Sequence, residues 1–180
     1  ITLEDVFPNG RYNITVTNGS TNHTDLYVNG YMAANNIDQN GAGRSVSTGS
    51  TYTANDIRVE SDEQKITIQT KDSANNLSYV KIVKSPSVVT PKKKIFITGD
   101  SLVANYYGGN EGNYLGNTQT GWGQALSNFI NTNEYEIVNL ANAGYWAATL
   151  KTTAYPGIIY NAVDGDIFLL ESGVNDYWNP

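Results

Sequence analysis

The sequence predicts a small N-terminal β-sandwich followed by the first half of an α/β domain built on a parallel sheet. Three observations carry this. Residues 1–84 alternate apolar and polar side chains with period two, whereas residues 94–180 hold continuous apolar runs separated by helix-period stretches. Between them, "SPSVVTPKK" (85–93) carries Pro86, Pro91 and the start of a lysine run, which fit poorly inside any sheet. The expected organisation is therefore a β module over 1–84, a linker over 85–93 and an α/β portion over 94–180.

In the first segment, "GRYNITVTNG" alternates Tyr12, Ile14 and Val16 with polar neighbours. "DLYVNGY" contains Asn29-Gly30, a pair that tolerates the positive φ angles of a tight hairpin. The pattern continues in "DIRVES" (Ile57, Val59), "KITIQT" (Ile66, Ile68) and "SYVKIVK" (Val80, Ile82), with Asn, Asp, Gly and Ser between the runs. Short strands at this spacing suggest a sandwich. Tyr27, Tyr31 and Tyr52 could form a binding platform, although tyrosine is also an ordinary strand residue.

In the second segment, "KIFIT" (94–98), "EIVNL" (136–140) and "DIFLLES" (166–172) read as strands buried on both faces of a parallel sheet. "GWGQALSNFINTN" places Trp122, Ala125, Leu126, Phe129 and Ile130 at the i, i+3, i+4, i+7, i+8 spacing of one amphipathic helix. "AATLKTTAYPGIIYNAV" is expected to hold one or two short helices, with Pro156 near a helix start. The order β-α-β-α-β builds an open parallel sheet through right-handed crossovers, with its functional crevice at the carboxyl ends of the strands.

Composition narrows the function classes. A net charge of −6 with only scattered basic residues argues against nucleic acid as a partner, because phosphate binding needs clustered Lys and Arg. The absence of cysteine removes disulfides, thiolate-bound zinc and thiol catalysis together. No run approaches the roughly 20 apolar residues that span a bilayer, so no membrane partner is expected. No calcium-loop signature stands out among the acidic positions, and neither a metal nor a cofactor is expected.

The crevice rule brings three short motifs to one edge. Ser101 follows the first strand in "GDS", Asn142-Ala143-Gly144 follows the second, and Gly173-Val174-Asn175-Asp176 follows the third. Each has a structural reading by itself: Asp100 and Ser101 as helix caps, Gly144 as an ordinary turn, Asn175-Asp176 as a strand-to-helix cap. Their coincidence at one sheet edge points instead to a single site.

These residues resemble the GDSL or SGNH hydrolases, flavodoxin-like three-layer α/β esterases whose Ser, Gly, Asn and His lie in four sequence blocks. "FITGDSL" matches the first block, "NLANAGY" the second and "ESGVNDYW" the third. The resemblance implies that Ser101 is the nucleophile, and that its N–H, the Gly144 N–H and the Asn175 amide form an oxyanion hole. Acyl transfer develops charge on the carbonyl oxygen, and donors fixed beforehand are worth on the order of 3 kcal/mol each. "GWGQAL" (121–126), the serine-bearing block and the preceding β unit are further similar to bacterial rhamnogalacturonan acetylesterases. That likeness implies a secreted esterase acting on an acetylated polysaccharide, with the β unit as a carbohydrate-binding or accessory module. Another acyl ester or lipid as substrate, or a non-catalytic binding or adhesion protein, are the alternatives.

The chain departs from the family at the base. The family supplies an Asp-x-x-His block near the domain's C-terminus, yet the only histidine here is His23, in the polar stretch "NGSTNHTD" of the β unit. Asp176, Asp166 and Glu171 are poor substitutes, and the chain alone is expected to be nearly inactive. Ile1 at the start and "DYWNP" at the end have the look of cut ends, so a fragment or processed form is expected. In a strand order 2-1-3-4-5, "IFLLES" would be central in the complete sheet and is expected to be an exposed apolar edge in this chain, and roughly 100 or more further residues are expected to supply two strands and the Asp-His pair as the missing C-terminal segment of the same protein. Around the site, "NYYGGNEGNYLGNTQTGWG" (105–123) is a long loop in which Tyr106, Tyr107, Tyr114 and Trp122 could offer flat faces to sugar rings, as could Tyr177 and Trp178. For Trp122, packing on the sheet at the start of a helix is the other reading.

Overall fold

The computed structural model describes residues 2–4, 7–19, 25–34, 51–60, 65–71, 77–86, 92–105 and 121–178. They fall into two compact units, residues 2–86 and residues 92–178.

The first unit holds seven strands: β1 (Thr2–Glu4), β2 (Gly10–Asn18), β3 (Asp25–Val28), β4 (Tyr31–Ala34), β5 (Thr51–Val59), β6 (Lys65–Lys71) and β7 (Leu77–Lys84). They form two antiparallel sheets, β1-β6-β3-β4 and β5-β2-β7. Period-two alternation explains the core. Tyr12, Ile14 and Val16 of β2 are buried with Ala54, Ile57 and Val59 of β5, and the same cluster takes Leu26, Val28, Ala33, Ala34, Ile66 and Ile68 from the other sheet. Two inner faces meeting in one cluster make a sandwich. The β3–β4 hairpin turns at Asn29 (φ 49°) and Gly30 (φ 83°), and Asn29 Oδ1 accepts the Thr67 N–H at 2.7 Å.

The second unit is a parallel sheet ordered β9-β8-β10: β8 (Lys93–Thr98) lies in the middle, with β9 (Tyr135–Asn139) and β10 (Ile167–Leu170) on either side. Its helices are α1 (Trp122–Ala125), continued by a 3₁₀ turn over Leu126–Asn128, then α2 (Ala147–Thr152) and α3 (Ala154–Asn161). Ile95, Ile97, Ile137 and Leu169 pack on one face against Leu126, Ile130, Val103, Ala104 and Ala141. Phe168 alternates to the opposite face, where its ring lies 6.0 Å from that of Tyr155 on α3. Helices therefore cover both faces.

One expectation changes. The helix after the long loop is α-helical only to Ala125 and then tightens to 3₁₀, so Phe129, expected on the buried stripe, is 82% exposed. At three residues per turn the side chains no longer keep the 3.6-residue phase of the pattern. The "IFLL" strand, read as central in a complete sheet and as an exposed apolar edge in this chain, pairs among the described residues with β8 alone and leaves Ile167 at 40%, Phe168 at 39% and Leu170 at 58% exposure. An edge strand with one neighbour cannot bury its outer flank.

Candidate active site

The site begins at Gly99, between β8 and Ser101. Any Cβ there would come within 2.4 Å of the Glu171 carbonyl oxygen and 2.6 Å of Val103 Cγ2, so only glycine lets the three chain segments approach. Backbone bonds then stitch the strand ends together. Leu140 N–H donates to Ile97 O at 2.7 Å, Asn142 N–H to Gly99 O at 3.2 Å, and Glu171 N–H to Thr98 O at 3.1 Å.

Asp100 is fully buried and builds the turn that carries Ser101. Its Oδ1 accepts the Leu102 N–H at 2.9 Å, and its carbonyl accepts the N–H groups of Val103 and Ala104 at 3.1 Å each. Ser101 thus stands at the first position of a single helical turn, partly exposed. Thr98 Oγ1 and Asp100 Oδ2, on either side of Gly99, are buried polar atoms without a hydrogen-bond partner among the described residues.

Asn139, at the end of β9, was not singled out from the sequence. Its Nδ2 donates to Val103 O and to Asn105 Oδ1, both at 3.0 Å, while its Oδ1 accepts the Ala141 N–H at 3.0 Å. One amide therefore ties the Ser101 turn to the loop that follows β9. The only sequence signal is a polar residue closing an otherwise apolar run, "EIVN".

Gly144 lies in that loop at φ +81°, exposed, with nothing within 4 Å of the position a Cβ would occupy. Asn175 reaches the same loop from the other side: its Nδ2 donates to Tyr145 O at 2.7 Å. Next to it, Asp176 Oδ1 accepts the Ala147 N–H at 2.9 Å and Oδ2 accepts the Ser172 hydroxyl at 3.0 Å. The structure thus links the loops bearing Ser101, Gly144 and Asn175 through side chains at Asn139, Asn175 and Asp176.

The other acidic residues near the strand ends are engaged elsewhere. Asp166 accepts the Lys94 N–H at 2.7 Å and the Val163 N–H at 2.9 Å. Glu171 Oε2 accepts the Trp122 indole N–H, and the Trp122 backbone N–H donates to Leu102 O at 2.9 Å. The indole is therefore tethered beside the Ser101 turn with 37% of the residue exposed. Tyr106, Tyr107, Tyr114 and His23 lie outside the described residues; Trp178 lies in the terminal 3₁₀ turn (Asp176–Trp178), its side chain outside the described set. Tyr177 is exposed. No group of three or more His, Cys, Asp or Glu side chains able to hold a metal occurs among the described residues.

The chain is similar to an esterase. It is 29% identical over 170 residues to the uncharacterized esterase YxiM of Bacillus subtilis, a match covering 94% of this chain and 41% of the relative. The chain thus spans less than half the length of that protein. The crystal structure of the B. subtilis YxiM protein matches with a TM-score of 0.69 at 26% identity, over 97% of this chain and 46% of that one. A family two carbohydrate esterase from Clostridium thermocellum, an active-site mutant in complex with an oligosaccharide, matches at a TM-score of only 0.34 and 13% identity over 96% of this chain and 58% of that one, too low to carry argument. No protein-family model matches the chain.

Proposed function

We propose that this chain carries the nucleophile and oxyanion-hole portion of an SGNH-type serine esterase that removes acetyl groups from a polysaccharide outside the cell, with the β-sandwich as its carbohydrate-binding module. The observation that carries the reading is the bonding of three loops, each following one parallel strand, into one cluster that contains Ser101, Gly144 and Asn175. Ser101 Oγ attacks the ester carbonyl, and the oxygen that becomes negative is received by the N–H groups of Ser101 and Gly144 and by the Asn175 amide. Gly144 suits this role because it carries no side chain to block a substrate's approach and the space a Cβ would occupy is open, and Asn175 because a neutral amide donates without demanding a counter-charge. The acetyl group passes to Ser101, the sugar hydroxyl leaves, and water releases acetate. The similarity to an esterase over 94% of the chain supports the reaction class.

The base belongs to polypeptide beyond these 180 residues. Asp166, Glu171 and Asp176 are each engaged by other donors, and a downstream Asp-His pair, in a segment that would also cover β10, completes the reading. The second reading, a binding protein without catalysis, draws on the single histidine of the chain, His23 in the β unit. Hydrolysis of p-nitrophenyl acetate by the purified protein, wild type beside Ser101→Ala, with denaturing mass spectrometry of the same sample, decides between them. Serine-dependent turnover, lost on the order of a thousandfold or more in the variant, together with a mass above that of the 180 residues, is expected. Turnover that survives Ser101→Ala, or none from a preparation that includes the downstream histidine, overturns the proposal.

A further inference from the structure

We propose that Asp176 is a positioning residue of this site: its carboxylate clamps the loop after β10 to the start of α2 and thereby sets where Asn175 and Gly144 stand relative to each other. The inference rests on the esterase reading above. Two consecutive side chains grip two nearly consecutive residues, Asn175 on Tyr145 O at 2.7 Å and Asp176 on Ala147 N at 2.9 Å, immediately after Gly144. One hydrogen bond leaves a loop free to swing about it; two, with opposite donor and acceptor sense, fix its orientation.

Packing does little to hold these loops. Ala143, Gly144, Ala147 and Ala148 are exposed on one side, and Ser172, Gly173 and Val174 on the other. Both loops also contain a glycine at positive φ, Gly144 at +81° and Gly173 at +137°, where the backbone has least steric restraint. Hydrogen bonds are therefore what defines their separation, and the one to a carboxylate is the stronger kind. An aspartate fits because both partners donate: the Ala147 N–H to Oδ1 and the Ser172 hydroxyl to Oδ2. Asparagine offers a single acceptor oxygen and alanine none. Oxyanion donors must lie about 2.7–3.1 Å from the developing charge, so slack in this clamp acts on the transition state rather than on substrate capture.

The test is steady-state hydrolysis of p-nitrophenyl acetate by the protein with its downstream histidine-bearing segment included, as wild type, Asp176→Ala, Asp176→Asn and Ser101→Ala, alongside amide hydrogen exchange over residues 143–148. Asp176→Ala should lower kcat on the order of a hundredfold, the scale of a 1 Å misplacement, with KM within about threefold, and should speed exchange at Ala147. Asp176→Asn, which keeps one acceptor, should fall between alanine and wild type, a graded rescue that simple loss of fold would not produce. If hydrolysis depends on Ser101 while kcat in both Asp176 variants stays within twofold of wild type, the positioning role is overturned and the esterase reading stands. If hydrolysis does not depend on Ser101, the esterase reading falls and the role falls with it.

Discussion

The Asn175 side-chain nitrogen donates to the Tyr145 carbonyl oxygen at 2.7 Å, joining loops that follow two different strands 30 residues apart. An amide nitrogen carries two hydrogens, and this bond uses one of them to orient the group. Asn175→Asp keeps the shape and reverses the sense, setting a carboxylate oxygen against a carbonyl oxygen. Chemical denaturation should show a loss of about 1–3 kcal/mol, and ester hydrolysis should fall on the order of 10²–10³ in kcat, the scale of one missing oxyanion donor.

Gly99→Ala tests the close approach of the strand ends. The new methyl would meet the Glu171 carbonyl at 2.4 Å and Val103 Cγ2 at 2.6 Å, and because the first contact is backbone, no rotamer change relieves it. The sheet must spread at the Ser101 turn. Overpacking of this kind costs typically 1–3 kcal/mol, so the urea midpoint should fall, and turnover should fall with it as Ser101 moves. An unchanged midpoint would mean that Glu171 does not lie against Gly99 in solution.

Asn139→Asp removes both donors that hold Val103 O and Asn105 Oδ1 and retains the acceptor for Ala141 N–H. A loss of about 1–3 kcal/mol in urea denaturation is expected, because two partly buried acceptors lose their donor and face a carboxylate instead. Asn139→Ala should cost no more than Asn139→Asp, since it removes the bonds without adding repulsion. The reverse order would show that the bond to Ala141 carries the stability.

The fates of Asn139 and Ile14 illustrate what the sequence discloses. Ile14 and its neighbours at spacing two, Tyr12 and Val16, are buried as the alternation predicts, because a strand's faces are fixed by parity alone. The three apolar runs likewise became β8, β9 and β10, and each motif lies directly after its strand. The partners of Asn139 sit 34 and 36 residues away, and the Trp122–Glu171 contact spans 49. No local pattern encodes such pairs. Phe129 misled for a different reason: its place on the buried stripe assumed an α-helix through residue 129, and the change to 3₁₀ after Ala125 altered the phase. Residues 94–180 contain no histidine, so pattern reading there yields no histidine base for the proposed reaction.

β10 makes the last prediction. Among the described residues it pairs on one side only and exposes Leu170 at 58%, next to Phe168 at 39% and Ile167 at 40%, which leaves the backbone groups of its other side without a strand partner there. An exposed apolar edge, even one of four residues, can recruit another strand, whether from the same protein or from a second molecule. Sedimentation velocity on the 180-residue chain should therefore show association that grows with concentration. Leu170→Lys should suppress it, because a charged side chain cannot enter a dry sheet-to-sheet contact. Since Leu170 is already mostly in water, its replacement should alter stability by no more than about 0.5 kcal/mol, so a change in association would report the edge and not the fold. A wild-type chain that stays monomeric at all concentrations would mean that the outward row of β10 is blunted by its own neighbours, and that the apolar character of the strand serves the faces of the sheet alone.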